Sequence, residues 1–116
     1  MKTHKDLDIW NRGIGFVEQI YKLTAKFPKE ELYCLTSQIR RAAISYPSNI
    51  AEGAERFSKK EFIQFLYVSL ASLSEVETQL IIAEKLRYLR ENSLLEEVEA
   101  LRRMTLNFIK YLKSKK

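Results

Sequence analysis

Histidine is almost absent from this 116-residue chain, the single one being His4. It precedes the first helical stretch, where it is expected to be mobile and neither a metal ligand nor a base. With no histidine further along, no serine inside the fold has an imidazole to activate it. Ribonuclease sites that pair an arginine with a later histidine are excluded on the same ground. Cysteine is also single, Cys34, so no internal disulfide forms and no Cys/His cluster offers zinc spacing. Such usage fits a reducing cytoplasm, and Cys34 reads as a small buried hydrophobe. Three glycines and two prolines leave no linker to divide residues 1–116, which read as one domain, and no Gly-rich loop to cradle a phosphate. The longest uncharged run, Phe62 to Ser74, is too short to span a bilayer and includes Gln and Ser. The polar stretch Met1 to Asp8 is no secretory signal. Acids mostly have basic neighbours at helical spacing, as Glu52 with Arg56 and Glu55 with Lys59, and Glu75 and Glu77 point to different faces. These absences predict a cytoplasmic protein with no catalytic residue, metal, cofactor or membrane partner.

What is present is helical period, and no useful length alternates with period two. Leu7, Trp10, Ile14, Val17, Tyr21 and Thr24 step by three and four, predicting a first helix from about Leu7 to Lys26 with that seam inward. Gly13 and Gly15 weaken it by roughly 1 kcal/mol each relative to alanine. Phe27-Pro28 makes a turn, and Lys29-Glu30-Glu31 is expected to start the second helix with its acids at the positive end of the dipole. Ser58-Lys-Lys-Glu61 has the form of a capping box and opens a third helix to about Leu89. Its seam is Phe62, Leu66, Ser69, Leu73, Val76, Leu80 and Ala83. Ser93-Leu-Leu-Glu96 is a second capping box, opening a fourth helix with Val98, Leu101, Thr105, Phe108 and Leu112 inward. The sum is all-α, an antiparallel up-down-up-down four-helix bundle with short loops.

The second helix carries an anomaly. Leu32, Leu35, Ile39, Ala42 and Tyr46 make a helical stripe that continues to Asn49, Ile50 and Gly53 across Pro47. An interior proline deletes one donor and crowds the carbonyl four residues back, Ala43. The helix is therefore expected either to kink at Ser45–Pro47 or to restart with Pro47 in its first turn. Asn49 needs a partner near the seam, since an unpaired buried amide costs roughly 1–3 kcal/mol. Glu52 is placed to pair with Arg56, and Gly53 removes a side chain where another backbone approaches. Asn49, Glu52 and Arg56 read as ties to neighbouring helices; a small-molecule pocket at the bend is the alternative.

This segment, Gln38 to Gly53, resembles the 23S ribosomal RNA intervening-sequence proteins, also called the bacterial four-helix-bundle protein family. Support runs through Trp10, Tyr21 to Leu32, Ser45 to Gly53, Arg56-Phe-Ser58-Lys-Lys-Glu61-Phe62, and Ser72-Leu-Ser-Glu75-Val-Glu77-Thr-Gln79-Leu80. Two departures stand out. Tyr46 sits where a smaller or aliphatic residue is more usual, and Ser69-Leu-Ala-Ser72 replaces a typical alanine-glycine-serine run. The resemblance implies assembly as ring-like pentamers. Related reading frames lie in intervening sequences of the large ribosomal RNA gene, and a related basic bundle is accessory to reverse transcriptases of diversity-generating retroelements. By that analogy the chain is expected to be an electropositive ring that holds template RNA.

Charge and apolarity point the same way independently. Net charge is +5. After Glu99 come Arg102, Arg103, Lys110, Lys113, Lys115 and Lys116 without an acid, an electrostatic footprint for phosphate backbones or a solvated helix end complementing its dipole. Candidate phosphate contacts are Arg40, Arg41, Lys59, Lys60, Arg102, Arg103, Lys110 and Lys113. Trp10, Tyr21, Phe62 and Phe108 are expected in the core, and Tyr88 and Tyr111 are too scattered for base stacking. Residues 62–73 are apolar nearly all round, implying contacts on a second face. Ile63, Tyr67 and Leu70 are the candidate homo-oligomer interface. The rival to RNA binding is a protein-interaction scaffold that uses those apolar residues instead of its charge.

Overall fold

Four stripes of helical period become four helices in the computed structural model, which describes residues 2–115. Met1 and Lys116, ends of the expected polar N-terminus and basic tail, lie outside the described residues. A short 3-10 turn at His4–Asp6 leads into α1 (Asp8–Thr24), and a second at Lys29–Glu31 precedes α2 (Leu35–Ala54). Then follow α3 (Lys59–Lys85) and α4 (Leu94–Ser114), with no strand among the described residues. Each helix packs against the next in sequence, and α4 closes back on α1, while the backbones of the diagonal pairs stay apart. The result is a rod of 49 × 21 × 19 Å.

Tyr46 of α2 occupies the middle of this arrangement and is completely buried. Its ring lies where a side chain at Gly13 of α1 would stand, 2.8 Å from an ideal Cβ there. Its carbonyl accepts from Ser69 Oγ of α3 at 2.8 Å. Its hydroxyl meets Thr105 Oγ1 of α4 at 2.7 Å. Because Thr105 donates its only hydroxyl proton to the Leu101 carbonyl, Tyr46 is the donor of that bond. One residue thus touches the other three helices.

Pro47 sits inside one continuous α2, so the helix does not restart there. The missing N–H leaves the Ala43 carbonyl without its usual donor, and side chains gather on the carbonyls that follow. Asn49 Nδ2 donates to Ser45 O and to Ser45 Oγ, both at 2.9 Å, and Ser72 of α3 donates to Ser45 Oγ at 2.8 Å. Asn49 therefore finds its partners in its own helix and ties to α3 only through Ser45. One turn on, a Cβ at Gly53 would meet Phe65 Cβ at 2.7 Å and the Phe62 carbonyl at 3.2 Å. A side chain at Gly53 would thus crowd both the side chains and the backbone of α3.

The α3 seam is buried as its spacing predicts, from Phe62 to Ala83. In α4, Val98, Leu101 and Thr105 are buried, but Ile109 takes the place expected of Phe108, which with Leu112 is half-buried. The α1 seam is corrected. Ile9, Gly13, Phe16 and Ile20 face inward, one residue or about 100° around from the expected Trp10, Ile14, Val17 and Tyr21, while Thr24 is buried as expected and Trp10 and Val17 are half-buried. The expected seam residues Ile14 and Tyr21 are 39% and 40% exposed. Two apolar stripes lie side by side on α1, and only the one containing Gly13 has room for the Tyr46 ring.

Helix ends also differ. Lys29–Glu31 forms a separate 3-10 turn, leaving Leu32 and Cys34 exposed ahead of α2. Cys34 is therefore not the buried hydrophobe its residue type suggested. Ser58 caps α3 by accepting from Glu61 N at 3.0 Å, whereas Ser93 has helical backbone angles and makes no side-chain cap. α3 stops at Lys85 because Arg87 turns left-handed at φ 65°. Tyr88 N then bonds to Ala83 O and Arg87 N to Glu84 O, the double closure of a Schellman end. His4 is held in its turn, edge-on to Trp10 with centroids 5.1 Å apart. It lies 3.6 Å from Glu55, the acid expected to face Lys59.

Two outcomes follow for stability. Gly53→Ala is expected to destabilise by roughly 1–3 kcal/mol because α3 must move. Gly15→Ala, with nothing within 4 Å of its Cβ, is expected to stabilise by about 1 kcal/mol; urea midpoints read both. Burial pushes the Tyr46 hydroxyl up to about 12 from its ordinary 10.0. A folded value above the unfolded one stabilises the fold fully below the unfolded value, and the gain is lost as pH rises through the folded one. Tyr46→Phe is therefore expected to cost roughly 1 kcal/mol at neutral pH and to flatten the decline of stability between about 10 and 12, measured by alkaline denaturation.

Candidate nucleic-acid interface

Lysine and arginine are spread over three helices in sequence, but α3 and α4 bring several together. The first turns of α3 lie beside the last turns of α4. Phe62 and Phe108 meet edge to face with centroids 5.7 Å apart, and the Lys59 ammonium donates to the Lys115 carbonyl. One turn further along α3, the Lys113 ammonium donates to Tyr67 Oη at 3.1 Å and stands 5.5 Å from its ring centroid. Lys59, Lys60, Lys110 and Lys113 are thus gathered at one end of the rod, all exposed. Arg103 shares the outer face of α4 with Lys110, seven residues and two turns away.

Other candidates are engaged elsewhere. Arg40 donates to Thr24 Oγ1 at 2.9 Å, and its guanidinium carbon lies 4.4 Å from the Tyr21 ring centroid, so it ties α2 to α1. Arg41 is exposed on α2 but belongs to the end where Arg40 meets the last turn of α1. Arg102 is half-buried, donating to Glu77 of α3 at 3.2 Å and to Glu99. Arg56 pairs with Glu52 at 3.0 Å, with its guanidinium 4.9 Å from the Phe65 ring centroid. The pair with Glu52 is the one the spacing suggested, and the Phe65 contact tethers the end of α2 to α3. Across the rod, Arg12 holds Glu97 with two bonds of 2.7 and 2.9 Å, clamping α1 to α4.

Of the exposed aromatics here, Tyr67 and Tyr111 were singled out by the sequence and Phe57 was not. Tyr67 and Tyr111 are about half exposed, at 45% and 52%, and Phe57 is wholly so. Tyr111 stacks on Phe108 at 6.2 Å, and the Lys115 ammonium stands 5.0 Å from its ring centroid. Phe57, Phe62, Phe108, Tyr111, Lys59 and Lys115 all border one open cavity of about 470 Å3. The available signal was Phe57 itself. An apolar residue just before a capping serine ordinarily folds back onto the residue five positions on, Phe62, and here it points to solvent. Tyr88 is instead consumed inside the fold, donating to Glu31 Oε2 at 2.7 Å.

The interface candidates divide. Ile63 and Leu70 are half-buried against the chain's own core, and only Tyr67 among them is exposed. Val68 and Ile82 are exposed on α3 as well, and Ile14, Tyr21 and Ile44 on α1 and α2. α3 is long and apolar enough by length and composition to cross a membrane, yet only 33% of its most apolar window is buried in this chain. Among the described residues no three His, Cys, Asp or Glu side chains gather as a metal site.

Arg102→Gln is expected to lower stability by at most about 1 kcal/mol, part of it shared with Glu77→Gln in a double-mutant cycle, because the pair remains partly solvated.

The sequence matches the family model for the 23S rRNA-intervening sequence protein over residues 5–107. No curated protein matches the chain. The matched span runs from the first 3-10 turn through most of α4, taking in Tyr46, Pro47, Gly53 and the first turns of α3. The chain belongs to the 23S rRNA-intervening sequence protein family.

Proposed function

We propose that this protein is a non-enzymatic, cytoplasmic RNA-binding bundle that works as a homo-oligomer. The observation that carries this is the gathering of Lys59, Lys60, Lys110 and Lys113 from two helices onto one end, where the first α3 turn holds a single acid, Glu61. Cations in such a cluster release counterions from a phosphate backbone on binding, which makes affinity steeply salt-dependent. Repetition around a ring multiplies the patch without any new contact type.

The antiparallel up-down-up-down course and a bend at Pro47 belong to the same proposal. They are supported by the closed circuit of neighbours and by the side-chain donors massed around Ser45 and Tyr46. Assembly is supported by exposed apolar residues on two separate sides, Ile14 and Ile44 on one, Val68 and Ile82 on the other. A ring built head to tail needs two different complementary patches of this kind. Five subunits is the number that family resemblance implies.

Those same residues favour a second reading, a scaffold that binds protein through its apolar faces. Fluorescence anisotropy with labelled RNA at about 50 and 200 mM salt separates the two, with light scattering for mass. RNA binding is expected from a multimer and to weaken by orders of magnitude over that range. Lys60→Gln, Lys110→Gln and Arg103→Gln are each expected to reduce the salt slope by roughly 0.7–0.9. Arg40→Gln is expected to leave it unchanged. A multimer that ignores RNA at the lower salt defeats the RNA reading in favour of the scaffold.

A further inference from the structure

We infer that the cavity between the α2–α3 connection and the last turns of α4 takes one unpaired nucleotide of a single-stranded RNA, its base against Phe57 and Tyr111 and its phosphate on Lys59 and Lys115. This rests on the RNA-binding reading above and names which form of RNA is preferred. The cavity, about 470 Å3, is within the range of small-molecule sites. Its floor is apolar, from Phe62, Phe108 and Leu112, and no carboxylate borders it. Cations around an aromatic floor without an acid complement a planar anion better than a neutral or acidic-and-basic protein side chain does.

The ring stack already runs outward. Phe62 meets Phe108 edge-on, Phe108 lies at 21° to Tyr111, and Tyr111 is half exposed. The Lys115 ammonium stands 5.0 Å from that ring's centroid and Lys59 is turned onto the Lys115 carbonyl, so both cations sit near the ring on which a base would stack. Phe57 spends a large apolar surface in water with no partner in the chain. A base in a duplex has both faces covered, whereas an unpaired base offers one to an aromatic side chain.

The test uses the full chain with two labelled probes, an oligouridine single strand and an RNA duplex of equal phosphate number. Phe57→Ala removes a side chain that is wholly exposed, so the fold is expected to survive, checked by urea midpoint. Single-strand affinity is expected to fall roughly tenfold with duplex affinity unchanged, and Phe57→Trp to restore it. A 4-thiouridine strand is expected to photocrosslink to Phe57 or Tyr111. Equal loss on both probes, or no loss on the single strand, overturns the inference. In the second case RNA binding still stands, and the apolar floor is left to a protein side chain. Failure of the unaltered protein to bind either probe overturns the RNA reading and this inference together.

Discussion

The packing of this protein is organised by the need to seat one tyrosine ring among four helices. Tyr46 is too large for a bundle centre unless another helix gives up a side chain, and Gly13 does so. That accommodation sets the rotation of α1, which turns Phe16 and Ile20 inward and leaves Ile14 and Tyr21 partly in solvent. The buried ring contributes roughly 2–3 kcal/mol by area, but its hydroxyl would cost a comparable amount if left unpaired. Thr105 removes that cost and passes the bond on to the Leu101 carbonyl. The same residue, immediately before Pro47, offers its carbonyl to Ser69, so the place where the α2 ladder is weakest is also where side chains from α3 reinforce it.

The basic end follows from how α3 and α4 lie together more than from either sequence segment. Lys110 and Lys113 complement the negative end of the α4 dipole, so their charges favour the fold. Lys59 and Lys60 do not: cations in the first turn of α3 oppose its dipole, at a cost of about 0.3–1 kcal/mol. Ser58 and Glu61 offset part of this at the cap. Local rules broken in this way concentrate at functional surfaces. By contrast, Arg12, Arg40, Arg56 and Arg102 hold helices to one another through carboxylates and aromatic faces. Arginine, with its planar fork and weak hydration, suits those half-buried ties better than lysine does. Lysine, more strongly hydrated, dominates the exposed end.

On α3 spacing located the core although residues 62–73 are apolar nearly all round. Every member of the run at three and four from Phe62 to Ala83 is buried. Where two stripes compete, as on α1, periodicity cannot rank them, because the rank is set by the partner surface. Capping motifs show the same limit. Ser58 precedes a free helix end and caps it, while Ser93, in an identical four-residue pattern, is already in helical backbone and cannot. Charge counting found the excess on α4 but could not separate cations that bind neighbours, such as Arg102, from those that face water.

The sequence by itself determined four helices, their approximate lengths, the inward face of α3, most of that of α4, and a positive excess. These are local properties: period, propensity, caps and net charge act within a few turns of one chain segment. Tertiary structure alone decided which face of α1 turns inward, that Pro47 stays inside one helix, and that Cys34 lies in solvent. It also brought Lys59 to Lys115 and left Phe57 and Tyr111 around one cavity. Those outcomes depend on which distant side chains meet, and Tyr46 against Gly13 is settled by volume available between helices, a quantity no single segment carries.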